Sequence, residues 1–197
     1  MQKVQIQLEI MTRIWICNFS FHIGEKMNTI EKFWPNKSEG EVNFGHTWVQ
    51  TQSEEPISVL PGLIKRRLKI QIEGVSHSHR VIQYHYTSWP KQGVPRDPAR
   101  IVELCKVVRG NLKMGDGSCI IHCNDSVGRT GVVTALLQIM DVVDNRDPDI
   151  DVFTTVFKLR ADRMLMVRFI AYTEWGVLSV ARFCYVFPCE LEGLPGQ

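Results

Sequence analysis

The sequence has almost no excess of charge of either sign: 23 lysines and arginines stand against 21 aspartates and glutamates, a net +2. That balance provides no broad electrostatic footprint for nucleic acid or an anionic membrane, so any anion site must be local. The six cysteines, at positions 17, 105, 119, 123, 184 and 189, form no CxxC pair and have no histidines at zinc-ligand spacing. This argues against a metal site and for the reduced thiols of a cytoplasmic protein. Cys119 and Cys123 are close in sequence, yet along a strand they stand roughly 13 Å apart at about 3.3 Å per residue, too far for a disulfide. No apolar run is long enough to span a bilayer. Met1 to Gln7 alternates polar and apolar residues, without the basic start and apolar run of a secretory signal. Repeats, low-complexity tracts and long Gly/Ser linkers are also missing, which favours one domain over 1–187 followed by a Pro-, Gly- and Glu-rich tail over 188–197.

What is present is enough apolar sequence, 44% of 197 residues, for one real core. Residues 12–21 are dense in aromatic and β-branched types and read as a strand. Residues 80–86 alternate, with Ile82, Tyr84 and Tyr86 on one face and Val81, Gln83 and His85 on the other, and read as a second strand running into Trp89-Pro90. Asp97 and Pro98 suit a helix cap and first position, with Ile101, Leu104, Cys105, Val108 and Leu112 following at helical spacing and Gly110 and Gly115 as stops. Cys119 to His122 is too short for a helix and reads as a buried strand. The next helix carries Val132, Ala135, Leu136, Ile139, Met140 and Val143 on one side. A further helix spans 151–160, capped by Asp151. Strands alternating with helices make the class α/β.

The segment with chemistry in it is Ile121-His122-Cys123-Asn124-Asp125-Ser126-Val127-Gly128-Arg129-Thr130-Gly131. A strand-to-helix turn aims successive main-chain N–H groups and the positive helix end at one point, which suits phosphate and favours a thiolate at Cys123. Arg129 can grip two phosphate oxygens with its planar fork, Thr130 can donate to the sulfur or the phosphate, and His122 can hold the loop through its ring. The implied reaction is thiolate attack on a phosphate ester, then hydrolysis of a phosphocysteine. A cysteine six positions before an arginine is common by itself, and buried cysteines are usually small hydrophobes. The strand, the helix and the flanking residues set this pair apart.

This segment resembles the signature of protein tyrosine phosphatases, and three further motifs follow the family's order. They are Phe33-Trp34-Pro35, Thr87-Ser88-Trp89-Pro90 with Gly93-Val94-Pro95, and Val152 to Arg163 with Met166-Val167. The resemblance runs from about residue 10 to residue 185. It implies a twisted mixed β-sheet flanked by helices, with the phosphate loop between a central strand and a helix. It also implies phosphotyrosyl protein substrates, no metal and no cofactor. Cys123, Arg129 and Thr130 match the family's catalytic positions, and Asn124 to Arg129, through Asp125, Ser126, Val127 and Gly128, match its phosphate-binding loop.

Departures from the family pattern bear on function. Lys91 stands where active members have the aspartic acid that protonates the leaving tyrosine oxygen, and an ammonium gives up a proton reluctantly near neutral pH. Asp125 opposes a thiolate and a dianion if its carboxylate points inward, and leaves the loop intact if it points outward. Ser126 replaces a glycine, at roughly 1–2 kcal/mol if the loop needs a left-handed backbone there. Arg168 and Tyr172 take the places of water-positioning glutamines, and Glu25 corresponds to the glutamate that fixes the signature arginine. The family's N-terminal helices and phosphotyrosine-stacking loop are not matched, which implies exposed core surface or a covering partner chain.

Simpler readings apply elsewhere. Trp34, Trp89 and Trp175 are expected in the core, Lys65-Arg66-Arg67 on a solvated face or strand edge, and His77 and His79 in a turn without metal. Three functions fit: an impaired phosphatase-like module that binds phosphotyrosyl proteins, a slow cysteine-dependent phosphatase, or a nonfunctional fragment.

Overall fold

The computed structural model describes residues 32–90, 95, 97–113, 118–144 and 151–168, and the main chain alone at 13–18, 111–113, 118 and 144. Its strands are β1 (Arg13–Asn18), β2 (Glu41–Asn43), β3 (Thr47–Pro56), β4 (Leu63–Ile72), β5 (His79–Tyr86) and β6 (Ser118–His122). The helices are α1 (Ala99–Lys113), α2 (Gly128–Asp144) and α3 (Val152–Asp162), with a 3₁₀ turn at Lys37–Glu39.

The described sheet runs β2-β3-β4-β5-β1-β6. Strands β2 to β5 form an antiparallel meander, and β1 lies parallel to both β5 and β6, so the sheet is mixed as expected. Both faces of β5 are covered, and the alternation read in the sequence divides them. Tyr84 and Tyr86 join the larger core with Trp89, Leu104, Leu136 and Met140 from the helical side. Val81 joins a smaller cluster under Trp34 on the opposite face, with Val49, Leu68 and Ile70. Burying a large apolar side chain of this kind stabilises by about 1.5–3 kcal/mol, so the helical face supplies most of the drive to fold. Trp34 and Trp89 are core residues as the sequence implies; Trp175 lies outside the described residues.

Four expectations need correction. Gly110 does not stop α1, which continues to Lys113, because the weak helix propensity of one glycine is outweighed by the packing of Ile101, Leu104 and Val108. β6 forms where expected, but the side chains of Cys119, Ile121 and His122 are only partly buried and Ile120 is 36% exposed. Among the described strands it has β1 on one side only. Arg66 is not on a solvated face: it is buried within β4, bonded to Gln83 and His85 on β5, ion-paired with Glu54 on β3, and 5.0 Å from the Trp34 ring. His79 begins β5 and is buried rather than lying in a turn, with its ring 5.0 Å from that of His77. Among the described residues no three His, Cys, Asp or Glu side chains could hold a metal ion.

The fold positions two approaches to the turn after β6. Thr87, which follows β5, donates through its N–H and hydroxyl to the carbonyl of Gly62. Gly62 has φ +88°, and a Cβ there would lie 1.9 Å from the Ser88 hydroxyl oxygen, so only glycine lets this turn fasten the chain that leads into Trp89-Pro90. On the other side, Asp151 caps α3 by accepting from the Thr154 N–H. That helix ends where residues 163–168 turn back toward α2.

Candidate functional site

Cys123 sits directly after β6, and α2 begins at Gly128. The sulfur is buried and accepts a hydrogen bond from the Thr130 hydroxyl at 3.1 Å. Thr130 occupies the first turn of α2, so this contact ties Cys123 to the helix start. Cys105, by contrast, is a core thiol whose pKa burial pushes up to about 12, too high for useful thiolate at neutral pH.

Arg129 is buried, and its Nη2 donates to the carbonyl oxygen of Pro90 at 2.8 Å. Its guanidinium lies 5.8 Å from the Trp89 ring. The arginine therefore links the turn after β6 to the Trp89-Pro90 segment instead of reaching into solvent. Lys91, Gly93 and Val94, which follow, lie outside the described residues, as do Glu25, Tyr172 and the 188–197 tail.

Asp125 resolves the alternative left open by its sequence position, and it points inward. Its Oδ1 accepts from the Cys123 thiol at 3.2 Å and from the N–H groups of Val127 and Gly128 at 3.1 and 3.2 Å. Partial burial works against the charged form, but bonds from the Val127 N–H, the Cys123 thiol and the Gly128 N–H outweigh it and hold the carboxyl below the usual range. The outer oxygen, Oδ2, is 3.6 Å from Arg168 Nη1. Asn124 is exposed in the same loop. Ser126 has φ +54°, the left-handed conformation that a glycine would adopt without strain.

His122 is partly buried, which lowers its pKa and keeps the ring neutral at pH 7. Its ring lies 5.6 Å from Phe33, bringing the Phe33-Trp34-Pro35 motif to the base of the loop. The opposite wall is residues 163–168. Val167 N–H donates to the Val127 carbonyl at 3.1 Å. Arg160 of α3 donates to the carbonyls of Met166 and Val167 at 2.9 and 3.0 Å. Sequence reasoning missed Arg160; its only signal was an arginine shortly before Met166-Val167, with nothing to indicate that the chain would turn back onto it. Cys123, Asp125, Arg129, Thr130 and Arg168 are thus brought together from β6, α2 and the turn after α3. A thiol, a buried guanidinium, a hydroxyl and a helix start at one point can hold an oxyanion and present sulfur to it.

The protein-tyrosine phosphatase family profile matches residues 16–173. The chain belongs to this family. This phosphatase-family chain is 31% identical over 140 residues to receptor-type tyrosine-protein phosphatase V of Rattus norvegicus, covering 70% of the chain and 8% of that protein. It is 32% identical over 166 residues to phosphatidylinositol phosphatase PTPRQ of Homo sapiens, covering 84% of the chain and 6% of that protein. The matched stretch is thus a small part of these relatives' length. Among solved structures, the fold is shared with the catalytic domain of human protein tyrosine phosphatase non-receptor type 18. The TM-score is 0.76 at 22% identity, over 86% of this chain and 60% of that one. The mixed sheet with flanking helices is the family's fold. No helix among the described residues is long and apolar enough to cross a membrane.

Proposed function

We propose that this chain is a phosphotyrosyl-protein-binding member of the family whose catalytic step is impaired at proton transfer. The carrying observation is the hydrogen bond from Arg129 Nη2 to the Pro90 carbonyl at 2.8 Å. It brings the chain position just before residue 91 against the guanidinium of the phosphate loop, and residue 91 is a lysine. In the reaction, Cys123 sulfur attacks phosphorus, the S–P bond forms and the bond to the tyrosyl oxygen breaks, so that oxygen needs a proton. An ammonium is a poor donor at neutral pH, and loss of a positioned acid costs about 10²- to 10⁴-fold in rate. Asn124 to Arg129 form the phosphate-binding loop in this reading. Several relatives are named as tyrosine-protein phosphatases, which favours a phosphotyrosyl ligand. Thiols at Cys105 and Cys123 that stand outside any disulfide accord with a cytoplasmic site of action.

A second reading, a slow cysteine-dependent phosphatase acting through a phosphocysteine, draws on the Thr130 hydroxyl bonded to the Cys123 sulfur at 3.1 Å. Turnover of phenyl phosphate, whose leaving oxygen needs a proton as tyrosine's does, measured beside Cys123→Ser separates the two: equal rates support the binding module, and a rate lost on substitution supports the enzyme. The lost acid is tested in an Asp125→Ala background, where Lys91→Asp is expected to raise turnover of phenyl phosphate by about 10²- to 10⁴-fold. A gain below tenfold would reject the assignment of position 91.

A further inference from the structure

The loop suited to an anion already holds one. Three donors converge on Asp125 Oδ1: the N–H groups of Val127 and Gly128 at the start of α2 and the thiol of Cys123. The two N–H groups are ones that an incoming phosphate oxygen would use, and the sulfur is the atom that its phosphorus would approach. A local turn formed by an aspartate needs only the N–H two residues on. It does not need the thiol, and it does not account for Arg168, which reaches Oδ2 from a distant part of the chain at 3.6 Å. Arg168 follows a segment held on both sides, by Val167 N–H on the Val127 carbonyl and by Arg160 on the Met166 and Val167 carbonyls.

We propose that Asp125 is an internal ligand of the 123–129 loop: its carboxylate occupies the place of a phosphate oxygen, with Arg168 on its outer side, and a phosphate monoester binds only by displacing it. The proposal rests on the reading of this loop as the chain's phosphoryl site. The carboxyl is ionised at neutral pH, because its hydrogen bonds outweigh the cost of its partial burial. A dianion and this carboxylate cannot share the same donors. The apparent affinity for phosphate is then the intrinsic affinity reduced by the fraction of molecules with the carboxylate swung out. Asparagine at this position keeps an oxygen for the two N–H groups and so preserves the turn, but it carries no charge and yields its place more readily.

The test is calorimetric titration of the full chain with inorganic phosphate at pH 7, for the wild type, Asp125→Asn, Asp125→Ala and Asp125→Asn/Arg129→Met. Asp125→Asn is expected to bind about 10- to 100-fold more tightly than the wild type, with Asp125→Ala at least as tight and the double variant back to wild-type weakness or below. If either folded single variant binds no more tightly than the wild type, Asp125 is a loop-shaping residue only and the proposal is overturned. Tight binding by both the wild type and Asp125→Asn, with loss of binding in the double variant, would overturn the internal ligand and leave the phosphoryl site standing. Binding unaffected by Arg129→Met would overturn both. Asp125→Ala keeps the test decisive should Asp125→Asn fail to melt cooperatively.

Discussion

The main-chain N–H of Val167 donates to the carbonyl oxygen of Val127 across 3.1 Å, fastening the turn after α3 to the last residue before α2. The two residues come from different elements, and their contact closes one wall of the candidate site. Val167 holds φ +54°, a conformation costly for a β-branched side chain, so the surrounding contacts must maintain it.

That contact depends on the absence of a side chain at Gly131. A Cβ there would lie 2.4 Å from the Val167 nitrogen, and the obstacle is backbone, which cannot swing aside. Gly131→Ala is expected to destabilise the chain by about 1–3 kcal/mol, as overpacking does. Urea denaturation measures it, and a midpoint equal to that of the wild type would contradict the packing described.

Ser126 is the converse case, a side chain where glycine would be relaxed. At φ +54° it carries left-handed strain, and its hydroxyl makes only a long 3.4 Å bond to the Cys123 carbonyl. Ser126→Gly is expected to stabilise by roughly 0.5–1 kcal/mol, the relief of strain less the extra chain entropy of glycine. A lower melting temperature in this variant would rule out the strain argument.

Arg66 and Glu54 form an ion pair with unequal partners. Arg66 is buried and also serves Gln83 and His85, whereas the Glu54 side chain is 43% exposed. Arg66→Leu takes the guanidinium donor from the buried Gln83 oxygen and from the His85 ring and is expected to cost about 3 kcal/mol, while Glu54→Ala costs about 1 kcal/mol or less. Comparable losses in the two variants would mean that the pair, not the buried network, carries the energy.

His122 makes stability pH-dependent in a defined direction. Burial lowers its folded-state pKa below the ordinary 6.5, so between those values the unfolded chain binds more protons than the folded one. Its contribution is complete above pH 6.5 and is lost as the pH falls through the folded value. NMR titration of the ring checks this, and a midpoint at or above 6.5 would contradict the burial at the base of the loop.

Much of the fold was legible because its elements carry strong local signals. The alternation of Val81 to Tyr86 separated the two faces of β5, and Asp151 capped α3 where the sequence placed it. Arg66 was misread because a run of three basic residues looks the same on an exposed edge and on an interior strand. Only the pairing of β4 between β3 and β5 gives its guanidinium buried partners. Gly110 was misread because a weak local preference yields to helix packing.

By itself the sequence determined the family and the order of strands and helices around Cys123 and Arg129. These follow from residue identity and spacing, which need no third dimension. Only the tertiary structure decided which way the Asp125 carboxylate turns, because that depends on where the helix start, the thiol and Arg168 stand relative to one another. Those distances arise when β6, α2 and the turn after α3 pack together, and they turn the two orientations that the sequence leaves open for this carboxylate into one, facing the Val127 and Gly128 N–H groups.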